Sequence, residues 1–304
     1  MQTFYSHGKL LLTAEYVVLD GAKALALPTK FGQTLTIENI DEPKIIWQSI
    51  DCDGIVWFEE ELALYNGKIA SSYTPRNNVS KRLLQILNTA KKLNPKFLKG
   101  VKGYKVTSKL EFPNNWGLGS SSTLLNNIAQ WAKVDAFTLS NATFGGSGYD
   151  IACAKNSTAI VYNLENKQPI IEPVLFKKDF ENQLFFVHLN RKQNSRDSIK
   201  TYRDNKSNTV NIISKIDAIT SQLITLSTIE AFNSLVKEHE VLIGNITNQT
   251  PIKDRLFPDY KNQIKSLGGW NGDFVLATGE KEYVESYFTS KDYNTIVSFK
   301  DMIL

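Results

Sequence analysis

Along the first sixty residues, β-branched and aromatic side chains recur between Gly, Pro and Asp punctuation, predicting strands over 2–6, 9–20, 33–40, 44–50 and 54–60. The period then changes to that of a helix. Val79, Leu83, Leu84, Ile86, Leu87 and Ala90 fall on one face, with Lys and Asn near Pro95 to close it. A strand over 103–112 leads to a second helical face made by Leu124, Leu125, Ile128, Ala129 and Ala132. After glycines at 145–148 the pattern gives a short helix and a strand from Thr158 to Tyr162, with Pro169 and Pro173 bracketing a connector. Beyond it come a strand over 183–190, a helix starting near Ser195, helices over 208–226 and 228–246, and a helix over 259–266. The tail reads strand 272–278, helix 280–289 and strand 294–299. Strands and helices alternate without a repeat or a low-complexity linker, which predicts an α+β protein.

Composition narrows the classes. The 304 residues are 42% hydrophobic, enough for packed cores. The start at Met1 lacks a basic segment followed by an apolar one, and no apolar run is long enough to span a bilayer, so a cytoplasmic protein that does not engage a membrane is expected. Cys52 and Cys153 suit a reducing compartment, and His7, His188 and His239 are too dispersed for a zinc cage. A net charge of +4 spread along the chain, with no basic tail, argues against nucleic acid as a partner and favours a small anionic ligand. Nothing in the pattern sets an oligomeric state.

Three glycine-rich segments carry candidate chemistry. In Pro113–Thr123 the glycines Gly117 and Gly119 run into Ser120, Ser121, Ser122 and Thr123 at the start of the second helix. Such a turn lets backbone N–H groups approach a phosphate, beside the positive end of the helix dipole; an ordinary N-cap is the plain alternative. In Gly8–Gly21, Lys9 and Glu15 stand among apolar runs, where charges are costly unless paired or used. In Gly145–Ala154, Asp150 follows a glycine turn, either as a cap or as a carboxylate held beside a substrate hydroxyl.

Taken in order with Lys265-Ser-Leu-Gly-Gly-Trp-Asn-Gly-Asp-Phe274, these segments resemble the motifs of the GHMP kinases, and the resemblance covers essentially the whole chain. The Gly8–Leu19 opening is similar to the mevalonate-pathway kinases, and the Gly146–Ala154 run with Gly272-Asp273 leans toward phosphomevalonate kinase. The sugar-recognition signature of galactokinases is not visible, and the Gly-x4-Gly-Lys-Ser/Thr and Gly-x-Gly-x-x-Gly nucleotide motifs are absent.

The resemblance implies a two-domain α+β fold. An N-terminal mixed-sheet domain over 1–170 would carry the nucleotide cradle and catalytic aspartate, and a ferredoxin-like α+β domain would cover 171–304. It further implies ATP-dependent, Mg²⁺-assisted phosphoryl transfer to a small acidic metabolite, mevalonate or phosphomevalonate. Another acceptor, such as homoserine or a sugar, is the alternative among enzymes, and a non-catalytic ATP- or metabolite-binding regulator the alternative from another class. Asp150 and Lys9 would be catalytic. Gly117, Leu118, Gly119, Ser120, Ser121 and Ser122, with Gly268 and Gly269, would bind ATP, and Ser120 and Ser121 would hold Mg²⁺. Glu15, Ser147, Gly148, Lys192, Ser195 and Arg196 would meet the acceptor, with Glu15 otherwise pairing with Lys9 or forming a structural ion pair. Two departures stand out. Trp270 and Asn271 replace small residues of the last motif, and the stretch 136–148, where mevalonate kinases carry a Mg²⁺-binding glutamate, holds no acid, leaving Asp135 as the nearest.

Overall fold

The computed structural model describes residues 1–65, 68–71, 77–100, 102–191, 202–203, 210–270 and 272–304. Its elements run β1 (Gln2–Leu11), β2 (Ala24–Ile40), β3 (Lys44–Ile50), β4 (Val56–Tyr65), β5 (Lys68–Ser71), α1 (Asn78–Leu93), β6 (Gly103–Leu110), α2 (Ser120–Ala132), α3 (Ala136–Thr143) and α4 (Tyr149–Lys155). Then follow β7 (Ile160–Glu165), β8 (Gln168–Pro173), β9 (Leu184–His188), α5 (Val210–Thr225), α6 (Ile229–Thr247), α7 (Ile252–Leu256), β10 (Ile264–Ser266), β11 (Phe274–Thr278), α8 (Lys281–Thr289), β12 (Ile296–Ser298) and α9 (Phe299–Met302). Two compact units interleave along the chain. One holds Met1–Gly8, Phe31–Asn114 and Gly119–Lys155; the other holds Lys9–Lys30, Asn115–Leu118 and Asn156–Leu304.

In the first unit, β3 pairs antiparallel with β4 and parallel with β6, β6 pairs antiparallel with β2, and β5 closes the edge beside β4. The strict alternation of β3 turns Ile45 and Trp47 inward. They meet Leu83, Ile86, Leu87 and Ala90 of α1 and Leu125, Ile128 and Ala129 of α2 in one apolar core. The periodicity of both helices is thus explained by the sheet they cover.

In the second unit, β9, β11, β10 and β12 form an antiparallel sheet in the order β10-β11-β9-β12. The succession β9, helices, β10, β11, α8, β12 is a ferredoxin-like βαββαβ arrangement with extra helices. Here also Ala24–Ala26 of β2 pair with β7, and β7 with β8.

Three expected elements differ. The strand over 9–20 ends at Leu11, because Ala14 and Tyr16 take left-handed conformations (φ 67° and 66°) and Val17–Asp20 form a 3₁₀ turn. Pro169 and Pro173 lie within strand β8 and not in a connector; its only pairing among the described residues is with β7, so the missing proline N–H groups cost little. The helix expected over 259–266 is a short helix at 252–256, stopped before Pro258, followed by strand β10. Helix α3 was not anticipated; Asp135 caps it by accepting from the Thr138 amide at 2.7 Å.

Candidate active site

The glycine-serine turn opens α2 as expected. Gly117 and Gly119 both sit in the left-handed region, at φ 66° and 89°. Gly119 is the N-cap, it offers no side-chain acceptor, and the first turn contains no acid. The amides of Ser122 and Thr123 return to the Gly119 carbonyl at 3.0 Å, whereas no described backbone bond uses those of Ser120 and Ser121. Ser120 is half-buried and Ser121 exposed, and neither hydroxyl makes a hydrogen bond among the described residues. Ser122 is buried and donates to the Gly119 carbonyl at 3.0 Å, so its hydroxyl braces the turn. The result is an uncharged helix start with unused donors.

What fixes that start is a buried polar network the sequence reading missed. Thr123 donates to Gln33 Oε1 at 2.5 Å, the Asn127 side chain donates to the Gln33 carbonyl at 2.8 Å, and Asn126 donates to Ser6 Oγ at 2.8 Å. Ser6 in turn donates to Asn127 Oδ1 at 2.7 Å, and Gln33 Nε2 to Ser108 Oγ at 2.7 Å. Two adjacent asparagines on a helix are weak formers. Their place inside an otherwise apolar-periodic helix was the available signal, and both are buried in the structure.

Asp150 lies in the first turn of α4, half-buried, and its Oδ1 accepts from the Ile151 amide at 3.0 Å. Before it, Gly148 is buried at φ 87° and Ser147 is half-buried. Helix α4 packs against α2, where Asn126 Nδ2 reaches the Ala154 carbonyl at 3.4 Å. The two helices that carry the candidate phosphate turn and the candidate acid are therefore packed neighbours.

The first half of the turn is held within the other unit. Lys9 donates its amide to the Leu118 carbonyl at 2.9 Å and its ammonium to the Gly117 carbonyl at 3.0 Å. His188 Nε2 donates to the Asn115 carbonyl at 3.1 Å, and Trp116 meets Phe274 edge-on at 5.2 Å. Gly268 (φ 57°) and the buried Gly269 form the C-terminal glycine turn, and Trp270 beyond them is 1% exposed. Trp270 is thus packing.

Glu15 takes neither the Lys9 partnership nor an open position. Its Oε1 accepts from Lys265 Nζ at 2.5 Å, and both side chains are 1% exposed. Lys265 also meets Glu240 at 3.0 Å, Ser266 donates to Glu240 at 2.5 Å, and His239 Nε2 accepts from the Ala14 amide at 2.9 Å. Burial pushes the Glu15 carboxyl up to about 7 against the attraction of Lys265, and raises Glu240 likewise. Burial, helped by the Lys265 charge, holds His239 well below the usual imidazole range. Burial opposes the charge on Lys265, but the two carboxylates hold its ammonium above the ordinary lysine value. With one ammonium, two carboxyls and a neutral imidazole, the cluster is neutral only when one carboxyl keeps a proton. This ion-paired cluster matches the structural ion pair that was one of the alternatives for Glu15.

Lys192, Ser195 and Arg196 lie outside the described residues. Asp135 is engaged in capping α3, and the 13 residues of α2 put it roughly 20 Å from Ser120. Among the described residues no group of three or more His, Cys, Asp and Glu could hold a metal alone, and no helix is long and apolar enough to cross a membrane. A cation here would rest on serine hydroxyls, one carboxylate, ligand oxygens and water, a donor set that suits Mg²⁺. The unused amides and left-handed glycines fit a triphosphate.

No family model and no curated protein matches the chain. Solved structures do. The mevalonate kinase of Methanococcus jannaschii is similar at a TM-score of 0.72 and 17% identity, over 97% of this chain and 96% of that one. Streptococcus pneumoniae phosphomevalonate kinase, solved with phosphomevalonate and AMPPNP, gives 0.72 and 15% over 98% of each chain. Lactococcus lactis galactokinase, solved with galactose, gives 0.70 and 12% over 100% of this chain and 93% of that one. The chain has the fold these kinases share.

Proposed function

We propose that this protein is an ATP-dependent small-molecule kinase of the GHMP type, acting on mevalonate or phosphomevalonate. The observation that carries this reading is the uncapped, acid-free start of α2, where the Ser120 and Ser121 hydroxyls have no hydrogen bond among the described residues, on a helix packed against the one that bears Asp150. The nearly full-length likeness to a kinase solved with phosphomevalonate and AMPPNP supports it.

In this reading the amides of Gly119–Ser121 bind phosphate oxygens, and Ser120 and Ser121 hold Mg²⁺ together with those oxygens. Bound MgATP supplies the phosphoryl group and part of the charge neutralisation. Asp150 orients the acceptor hydroxyl and takes its proton, with Ser147 and Gly148 lining the acceptor side. Lys9, held on the Gly117 carbonyl, offsets phosphate charge, and Gly268 and Gly269 let backbone approach the nucleotide. Lys192, Ser195 and Arg196 are assigned to the acceptor's acidic groups by the resemblance. Little covalent chemistry falls to the protein, so catalysis is positioning and electrostatics.

The test is release of ADP on mixing the protein with MgATP and each of mevalonate, phosphomevalonate, homoserine, galactose and other sugars. Turnover with the first two supports the reading. Turnover with a sugar alone, the acceptor class of the similarly folded galactokinase, redirects it. ATP binding without ADP release for any acceptor indicates a regulator.

A further inference from the structure

The carboxylate of Asp273 sits between two glycine turns. A β-carbon added to Gly117 would lie 2.5 and 2.7 Å from the two carboxylate oxygens of Asp273, and one added to Gly268 would lie 3.4 Å from Oδ2. The first position leaves no room for any side chain. Asp273 is 8% exposed and takes a left-handed conformation, φ 56°, which aspartate tolerates better than most residues. Its backbone is fixed on both sides, because its amide donates to the Arg191 carbonyl and its carbonyl accepts from the Leu189 amide, each at 2.7 Å. The next residue, Phe274, begins β11 and pairs with His188 of β9. The carboxylate is therefore carried on a rigid strand end.

Gly117 is gripped from a second side. Its carbonyl accepts the Lys9 ammonium at 3.0 Å. One residue of the turn thus lies between a cation on its carbonyl and a carboxylate against its α-carbon, and the same carboxylate reaches the Gly268 turn. This arrangement explains why two glycines far apart in the chain both face an acid.

Resting on the nucleotide reading above, we propose that Asp273 is a positioning residue of the kinase. Its carboxylate seats the Gly117 peptide, which keeps the first half of the phosphate turn and the Lys9 ammonium in register for the nucleotide, and it links the C-terminal glycine turn to that seat. Asp273 acts through Gly117 and Lys9, and small displacements of such groups are costly to a reaction that depends on orientation.

The test compares wild type, D273N, D273A, G117A and the D273A/G117A double variant. Each is measured by calorimetric binding of a non-hydrolysable ATP analogue with Mg²⁺, by steady-state kinetics and by thermal melting. G117A should weaken analogue binding by about tenfold or more, because its methyl meets the carboxylate. D273A should weaken binding several-fold and lower kcat while leaving the KM of the acceptor unchanged. In the double variant the part of the G117A loss that comes from the clash should disappear, leaving only the left-handed backbone cost at φ 66°, so the two losses should be clearly less than additive. D273N keeps the wedge and the left-handed backbone and should stay close to wild type in affinity. Independent, additive losses in the double variant overturn the proposal. So does a D273A protein that melts lower yet binds the analogue and turns over as wild type does, the behaviour of a merely structural residue. A wild-type protein that binds no analogue overturns the nucleotide reading itself, and this inference with it.

Discussion

Two polar regions of this molecule are built on opposite terms. The Glu15–Lys265–Glu240–His239 cluster is buried and built around a charge, with Lys265 meeting both carboxyls within 3.0 Å. The start of α2 is uncharged and partly exposed, and it leaves hydroxyls and amides without partners among the described residues. Both looked functional in the sequence, because a charge in an apolar run and a serine run after glycine are equally conspicuous. What separates them is the pairing of charge: in the cluster a buried ammonium meets two carboxyls, whereas the helix start is uncharged and keeps donors that, in the proposed reading, meet a ligand.

The largest effect should come from opening the closed region. K265M leaves Glu15 and Glu240 buried without a cation, and should lower unfolding free energy by about 3–5 kcal/mol in urea titration. Adding E15Q and E240Q should recover most of the loss. Recovery failure would mean that the cluster is not a self-contained unit.

Changes at the open region should strike activity more than stability. D150N should cut kcat by about a hundredfold or more while the ATP analogue still binds, measured by ADP release and calorimetry. Unchanged turnover would remove Asp150 from the chemistry. G119V forces a β-branched residue into φ 89° at the helix start, and should weaken analogue binding by roughly tenfold through about 1–2 kcal/mol of strain and crowding.

The most diagnostic effect is a pH dependence. Burial raises Glu15 from 4.5 to about 7 in the folded state, so the folded protein holds this proton more tightly than the unfolded chain. The stability that proton confers is complete below about pH 4.5 and is lost as pH rises through 7. His239 acts in the opposite sense: its lowered value means that stability rises with pH up to its ordinary value of 6.5. The stability of E15Q relative to wild type should therefore rise between pH 5 and 7, by at most about 1.4 kcal/mol per pH unit. A constant difference across that range would show that Glu15 is ionised throughout.

The same contrast explains what the sequence could convey. The periodicity of α1 and α2 and the alternation of β3 stand in the order of residues, because each face meets one continuous core. The Gly117–Ser122 turn was legible because its chemistry is local. The counter-ion of Glu15 was hidden because it lies 250 positions away, and no local pattern distinguishes Lys9 from Lys265 in that role. The end of β1 was hidden because Ala14 and Tyr16 adopt positive φ without glycine, held in part by the buried His239 ring on the Ala14 amide. Strand β10 read as a helix because three residues are too few to show a period. The role of Asp273 was invisible for a different reason. A glycine-rich motif announces that something approaches closely, without saying what.

The most direct measurement is amide chemical-shift mapping of the intact protein on addition of Mg²⁺ and a non-hydrolysable ATP analogue. The account predicts that the largest shifts fall on Gly119, Ser120 and Ser121, while the amides of Ala14 and Ser266 in the closed cluster move little. Saturable binding that leaves Gly119–Ser121 unmoved would contradict it.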